Sequence, residues 1–284
     1  MKIAITGCDG FVGKRLVRRL TDSGLTVIRI DLNYGLDITD FNQLEGIEPF
    51  DILIHLAARS FVPDSYRDPR NFYRVNVSGT LNVLELCRKF KAKMIFTSSY
   101  VYGIPRYLPI DEKHPLEALN PYAQSKVMGE ELCQAYHRDF NLNVIVLRPF
   151  NIYGPGQNKN FLIPTILRQA KTGKIVLKDP KPKRDMVFID DHIEAYIKAI
   201  NYNFAGFDVF NIGSGQSYSV REIAETAAEI LSQAIEIEFS GEQRKTEIPE
   251  TLADIKKIRT VLGWKPAFSL REGLQKILAE ENSK

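Results

Sequence analysis

The sequence predicts an α/β fold: a doubly wound parallel sheet followed by a smaller C-terminal α/β lobe. Three observations predict it. Strand-like apolar runs alternate with amphipathic helical runs through the first half of the chain, the pattern of a parallel sheet covered by helices on both faces. The opening strand, within Met1–Thr6, runs straight into Gly7-Cys-Asp-Gly10-Phe-Val-Gly13 and then into an amphipathic segment, Lys14–Ser23. That order is strand, phosphate loop, helix. The next strand, Thr26–Asp31, ends in an acid about where a ribose-binding carboxylate belongs. Together these features describe a Rossmann-type arrangement.

Each element has its own signature. Gly7 permits the tight turn, Gly10 lets the backbone approach a pyrophosphate, and Gly13 allows close helix–strand packing. The spacing is one residue longer at the first gap than the common dinucleotide fingerprint. A glycine-rich turn without a ligand is the alternative, and Asp31 argues against it. Asp31 would accept bonds from the adenosine 2′- and 3′-hydroxyls. Leu32 and Asn33 follow it, with no arginine to hold a 2′-phosphate, so the expected cofactor is NAD rather than NADP.

Leu36–Asp40 leads into a helix, and Asp51–Ala58 reads as a buried strand. Asn71–Phe90 is a long helix and Lys93–Ser99 a further strand. Asn120–Phe140 is a helix and Asn143–Arg148 another buried strand. Gly7, Asp31, Ala57, Ser98 and Arg148 all fall at carboxyl ends of strands, where such sheets bind ligands, so one crevice is expected to collect them. Further on, Phe161–Lys171 is expected to be helical. Val187–Ile189, the helix after Asp191 and Phe207–Ile212 are expected to rejoin the core. The dinucleotide domain would then be residues 1–150, rejoined by about 185–214. The lobe would be about 151–184 and 215–284. Asp190 and Asp191 read as a helix start that they cap. His55, on a buried strand, reads as packed rather than catalytic.

The chemistry is carried by Tyr122 and Lys126, in Asn120-Pro-Tyr-Ala-Gln-Ser-Lys126. Pro121 suits the first helical position, where its missing N–H costs nothing. Four residues apart, the two side chains share one helical face. A free tyrosine is a poor base at neutral pH. A neighbouring ammonium is expected to lower its pKa by favouring the phenolate. A tyrosine poised in this way can take or give a hydroxyl proton, as alcohol–ketone redox chemistry requires.

Composition sets limits. The chain has 284 residues, 44% hydrophobic content and a net charge of +3. That is ample for a core and makes no electrostatic case for nucleic acid. Cys8, Cys87 and Cys133 show neither metal nor disulfide spacing. Lys2 is followed at once by a strand, with no signal peptide, and no apolar run reaches transmembrane length. A reducing cytoplasm is the expected setting, with no membrane partner.

Further motifs run nearly end to end: His55-Leu-Ala-Ala58, Val62–Pro69, Asn76-Val-Ser-Gly-Thr80, Thr97–Gly103, Arg148–Pro155, Arg184–Asp191, Asn211-Ile-Gly213 and Leu262-Gly-Trp-Lys-Pro266. In this order they resemble the extended short-chain dehydrogenases/reductases of the NAD-dependent nucleotide-sugar epimerase/dehydratase family. The resemblance implies that Ser98 hydrogen-bonds the reacting hydroxyl, Tyr122 is the acid/base, and Lys126 binds the nicotinamide ribose and tunes Tyr122. It places Gly7, Gly10, Phe11, Val12 and Gly13 at the pyrophosphate, and Asp31, Leu32 and Asn33 at the ribose. Asp37 and Ile38 would flank adenine. Leu56, Ala57, Ala58, Asn76 and Phe150 complete the implied NAD site. For a nucleotide-diphosphate sugar it implies Ser98, Ser99, Tyr100, Tyr122, Asn151, Leu177, Arg184 and Arg244, the two arginines suiting phosphate oxygens.

Departures from the family pattern narrow the reaction. Dehydratases of the family carry Asp-Glu directly after the catalytic hydroxyl residue, where this chain has Ser99 and Tyr100. Members that also epimerise C3 and C5 commonly place a cysteine where Tyr100 stands. What remains is chemistry at one carbon: C4 epimerisation through a transient 4-keto sugar. Reduction of a 4-keto sugar, or C4 dehydrogenation, is the alternative, since Asp31–Asp37 and Ser60–Ser65 resemble members that reduce 4-keto-6-deoxy sugars. A non-catalytic dinucleotide sensor is a third reading, against which the Tyr–Lys pair argues. A second apolar stripe on each of two helices, Val77, Leu81, Leu84 and Val127, Leu132, Tyr136, together with family habit, implies a homodimer.

Overall fold

The computed structural model describes residues 1–231, 234–243 and 247–282. The first part of the chain alternates as expected. It runs β1 (Lys2–Thr6), α1 (Phe11–Asp22), β2 (Thr26–Ile30), a 3₁₀ turn (Leu32–Tyr34), α2 (Phe41–Leu44) and β3 (Ile52–His55). It continues through α3 (Val62–Arg67), α4 (Pro69–Tyr73), a π-helical turn (Arg74–Ser78), α5 (Gly79–Phe90), β4 (Lys93–Thr97), α6 (Pro121–Phe140) and β5 (Val144–Pro149). Then come β6 (Asn151–Tyr153), α7 (Leu162–Ala170), β7 (Lys174–Leu177), β8 (Lys183–Phe188), α8 (Ile189–Asn201) and β9 (Phe207–Ile212). The chain closes with β10 (Ser217–Ser219), α9 (Val220–Leu231), β11 (Glu236–Phe239), α10 (Lys256–Leu262) and α11 (Leu270–Asn282).

Six strands form the main sheet, in the order β2-β1-β3-β4-β5-β9. The pairings are parallel, with Ile3 opposite Val27 on one side and Ile52 on the other, and Ile54 opposite Ile95. A parallel sheet is buried on both faces and reads as unbroken apolar runs. Ile3, Ala4 and Ile5, Ile52–Ile54 and Val144–Leu147 are all at most 5% exposed. The connection from β2 to β3 crosses to the other side of β1, so the winding direction reverses between β1 and β3. Sheets of this kind bind ligands beyond such a reversal.

Contacts group the chain into two units: Met1–Gly103, Pro115–Arg148 and Tyr196–Phe210; and Ile104–His114, Pro149–Ala195 and Asn211–Lys284. Ile104–His114, expected to stay with the first part of the chain, belongs to the second unit because its backbone is bonded there. Ile110 N–H donates to Leu252 O at 2.7 Å, and Ile110 O accepts from Asp254 N–H at 2.8 Å. Val187–Ile189, expected to rejoin the main core, lies instead in the second unit. β8 pairs in parallel with β6 and antiparallel with β10. The buried Asp185 carboxylate fixes it there, accepting from the backbone of Ser214, Gly215 and Ala253 and from the Ser214 hydroxyl. Phe207–Ile212 does reach the main sheet, as its edge strand β9.

The long helix expected over 71–90 begins two residues early. Asp68 caps it, accepting from Asn71 N–H, with Pro69 at the first position. It then widens into a π turn at Arg74–Ser78 before α5. Asp191 does not cap its own helix; its carboxylate turns to the N–H groups of Ala267 and Phe268. Among the described residues no helix is long and apolar enough to cross a membrane.

Candidate active site

The carboxyl ends of β1, β2, β3 and β4 are followed directly by Gly7, Asp31, Leu56–Ala58 and Ser98. Because the strands run parallel, these segments emerge along one edge of the sheet. The glycine loop closes tightly there. Gly7 has φ +67, and a Cβ on it would stand 2.7 Å from Ala57 N. A Cβ on Gly13 would stand 2.2 Å from Gly7 O. Only glycine permits either approach. Gly10 caps α1 without a side-chain bond, and the first turn of α1 has no acidic residue. The N–H groups of Phe11, Val12 and Gly13 precede the first helical bond, Lys14 N–H to Gly10 O at 3.1 Å. Such a turn offers donors and the positive end of the helix dipole to an anion.

Asp31 heads the 3₁₀ turn. Its two oxygens accept from Asn33 N–H and Asp9 N–H, each at 3.2 Å, and lone pairs remain for a ribose diol. Leu32 is exposed. Asp37 holds its own turn, accepting from Thr39 N–H at 2.8 Å. Ile38, expected beside adenine, is 5% exposed and packs in the core under α5.

Tyr122 and Lys126 lie one turn apart on α6, whose start Asn120 caps by accepting from Ala123 N–H at 2.8 Å. Tyr122 is half-buried, edge-on to Phe72 at 6.5 Å. Burial pushes its hydroxyl above the usual range, and a hydrogen bond with the Ser99 side chain opposes that rise. The expected lowering of Tyr122 by Lys126 is not seen. Lys126 is 4% exposed and its Nζ lies over the Phe96 ring, 4.5 Å from the centroid. Burial pulls Lys126 down to about 8, while the Glu130 carboxylate one turn on works to keep it charged. Glu130 is held in turn by a buried fork from Arg148, with Nε at 3.0 Å and Nη2 at 2.5 Å. Arg148 Nη1 donates to the Tyr102 hydroxyl at 3.0 Å. Arg148, expected at the crevice, is therefore turned inward as the counter-ion of Glu130. The sequence signal for Glu130 was its place four residues after Lys126.

Ser98 is 3% exposed, and its Oγ has no hydrogen-bond partner among the described residues. A buried orphan hydroxyl costs stability, so Ser98 fits a residue whose partner is a ligand. Ser99 rather than Ser98 holds Tyr122 in the protein alone, a contact that the motif did not disclose.

Beneath these residues runs a buried polar relay. Thr80 gives its one proton to Asn76 O at 2.6 Å, so its oxygen accepts from His55 Nε2 at 3.0 Å. His55 Nδ1 then accepts from Thr6 Oγ1 at 2.6 Å, and Thr6 Oγ1 accepts from Ala57 N–H at 3.2 Å. Burial and the Lys126 charge hold His55 down to about 3, so it is neutral. Its packed role is as expected. Asn76 sits in the π turn, a form common at functional sites. Its Nδ2 donates to Arg59 O and Ser125 Oγ, its Oδ1 accepts from Arg59 N–H, and Ser125 Oγ donates to Tyr122 O. Both amide protons of Asn76 are thereby engaged.

The remaining expected residues lie in the second unit. Phe150 is buried, and its N–H donates to Ile212 O at 2.8 Å. Asn151 Nδ2 donates to Asp185 O at 3.1 Å. Leu177 ends β7. Arg184 donates to Ile248 O at 2.8 Å and pairs with Glu247. Arg244 lies outside the described residues.

The chain matches the NAD dependent epimerase/dehydratase family over residues 3–213. It is 33% identical to the UDP-glucose 4-epimerase of Lactobacillus helveticus, covering 94% of this chain and 92% of that one. It is 31% identical to the GDP-6-deoxy-D-mannose reductase of Pseudomonas aeruginosa, covering 100% and 98%. Among solved structures it superimposes with a TM-score of 0.89 on the UDP-glucuronic acid 4-epimerase of Bacillus cereus in complex with UDP-glucuronic acid and NAD. That likeness covers 100% of this chain and 99% of that one, at 28% identity.

Proposed function

The chain belongs to the NAD-dependent epimerase/dehydratase family, and we propose that it is an NAD-dependent nucleotide-sugar epimerase acting at C4. The observation that carries this reading is the pairing of a buried, partnerless Ser98 hydroxyl with Tyr122 and the buried Lys126, on the segment after β4 and the first turns of α6. The glycine loop fits a dinucleotide because the N–H groups of Phe11, Val12 and Gly13 precede the first helical bond and no acidic residue stands in that turn. NAD, when bound, supplies the acceptor and donor of two electrons.

The chain's own residues do the rest in this proposal. The N–H groups of Phe11, Val12 and Gly13 hold the pyrophosphate, and Asp31 accepts from the ribose hydroxyls. Ser98 Oγ bonds the sugar O4. Tyr122 Oη takes the proton from the C4 hydroxyl and later returns it, with Ser99 donating to its oxygen meanwhile. Lys126, kept charged by Glu130, is assigned to the nicotinamide ribose. The sugar is oxidised to a 4-ketone and reduced again on its other face. Nucleotide recognition is assigned to Asn151, Leu177, Arg184 and Arg244. Ser99 and Tyr100, in place of an acidic pair, favour this outcome over loss of water. The second reading, reduction of a 4-keto sugar, is favoured by the likeness to a GDP-6-deoxy-D-mannose reductase. We assign the enzyme to carbohydrate biosynthesis in the cytoplasm and to a homodimeric state.

The test is incubation of the purified protein with a panel of nucleoside-diphosphate sugars. A C4 epimerase interconverts two of them with NAD and no net cofactor consumption; a reductase consumes one equivalent of reduced cofactor per ketone. Tyr122→Phe is expected to lower turnover by about two to four orders of magnitude with the fold intact, the scale of acid–base catalysis. Near-normal turnover in that variant would overturn the mechanism.

A further inference from the structure

We propose that Asp9 is a second cofactor-discriminating carboxylate, which together with Asp31 sets two negative charges at the adenosine ribose and turns away a 2′-phosphate. The inference rests on the dinucleotide reading of the glycine loop. Asp9 sits inside that loop, two residues after Gly7, and the loop folds it against the end of β2. Its own N–H donates to Asp31 Oδ2 at 3.2 Å. Its carboxylate accepts from Asn33 Nδ2 at 2.8 Å. Asn33 N–H donates to Asp31 Oδ1 at 3.2 Å. The three residues thus close a triangle in which Asn33 braces both acids, Asp9 through its side-chain amide and Asp31 through its backbone N–H.

Every donor in the triangle is uncharged. Among the described residues neither carboxylate has an ion-pair partner. The nearby cation, Arg29, turns its Nη1 to the Tyr34 hydroxyl at 3.2 Å. A ribose diol brings donors to this place and is welcome beside two acceptors. A 2′-phosphate brings acceptors and negative charge, and the nearby cation is held by Tyr34 and already attracted to Asp9. Asp31 alone would discriminate by occupying the diol position. Asp9 adds a second charge that reaches the same substituent without needing to touch the diol.

Direct titration of the purified protein with NAD and with NADP tests this, followed by calorimetry or protein fluorescence and needing no turnover. The unaltered protein is expected to bind NAD more tightly. Asp9→Asn keeps the shape and the contact with Asn33. It is expected to tighten NADP by about five- to tenfold, the scale of one charge acting on a phosphate over a few ångströms in a partly exposed site. The ratio of the two dissociation constants therefore falls, and the gain shrinks at 1 M salt, where the Debye length is about 3 Å. Asp9→Ala, which also removes the Asn33 contact, is expected to give the same salt-dependent gain. Equal weakening of both nucleotides by these variants, or an unmoved NADP constant, would overturn the role for Asp9 and leave it a loop brace. Failure of the unaltered protein to bind either nucleotide would overturn the dinucleotide reading and this inference with it.

Discussion

Ser98 and Lys126 are each buried at a cost the protein alone does not recover. Among the described residues the Ser98 hydroxyl lacks a partner, and an unmet buried hydroxyl costs about 1–3 kcal/mol. Ser98→Ala is therefore expected to leave the midpoint of thermal unfolding of the ligand-free protein unchanged or raised, while lowering turnover. A clear loss of stability would show that Ser98 serves the fold. Lys126 has a folded pKa of about 8 against an ordinary 10.5. The folded state therefore binds fewer protons between those values. The stability cost is complete below pH 8 and is relieved as pH rises from about 8 towards 10.5. Lys126→Met is expected to raise stability at pH 7 by up to about 3 kcal/mol, with the gain closing near pH 10, and to lower turnover. A variant less stable than the parent at pH 7 would refute this account of Lys126. Tyr122 and Lys126 were legible in the sequence because spacing alone puts them on one helical face. The Ser99 contact and the upward shift of Tyr122 were not, because both depend on how deeply β4 and α6 bury the pair.

At the scale of elements, the loop and the strand ends were the most legible parts. Gly7 and Gly13 announce themselves because the loop closes too tightly there for a Cβ, and Asp31 because it ends the next apolar run. The π turn at Arg74–Ser78 was not legible. It breaks no pattern of apolar residues, yet it places Asn76 to bond both Arg59 and Ser125. β8 was misplaced for a related reason: its apolar run suits any buried strand. Asp185 settles the matter by gathering three backbone N–H groups and one hydroxyl, even though burial lifts its carboxyl to about 6. Asp185→Ala would orphan those donors. It is expected to destabilise the protein by more than about 3 kcal/mol at one to three per unmet buried group, read as a lowered urea midpoint. A midpoint within a few tenths of the parent value would show that the donors find other partners.

At the scale of the whole molecule, the expectation most altered concerns assembly. Of the six residues read as second stripes, Leu84 and Tyr136 belong to the core and Leu132 packs against it. α5 and α6 share one apolar layer with the sheet, so their inner faces are wider than the stripe count assumed. Leu81, at 40% exposed, and the half-buried Val77 and Val127 remain for a partner. A homodimer through this face is expected to show twice the chain mass by light scattering at micromolar concentration, and Leu81→Glu to halve it. A monomer mass for the unaltered chain would remove the dimer.

The sequence by itself determined the order of strands and helices in the first half of the chain, the glycine loop, the acid after the second strand and the Tyr–Lys pair. All of these are local patterns, written by period, spacing and backbone freedom within a few residues. The family likeness was equally legible, since its motifs are short and ordered. Only the tertiary structure decided that Arg148 faces Glu130 rather than a ligand, that the Ser98 hydroxyl is buried without a partner among the described residues, and that Asp9 and Asn33 close on Asp31. It alone also joined His55 to the helix of Tyr122 and Lys126 through Thr80, Asn76 and Ser125. The decisive contacts join residues far apart in the chain, among them Arg148–Glu130 at 18 residues, Asp9–Asn33 at 24 and Asn76–Ser125 at 49. Depth of burial and the direction of each polar atom are set by the packing of whole layers, which no window of sequence contains.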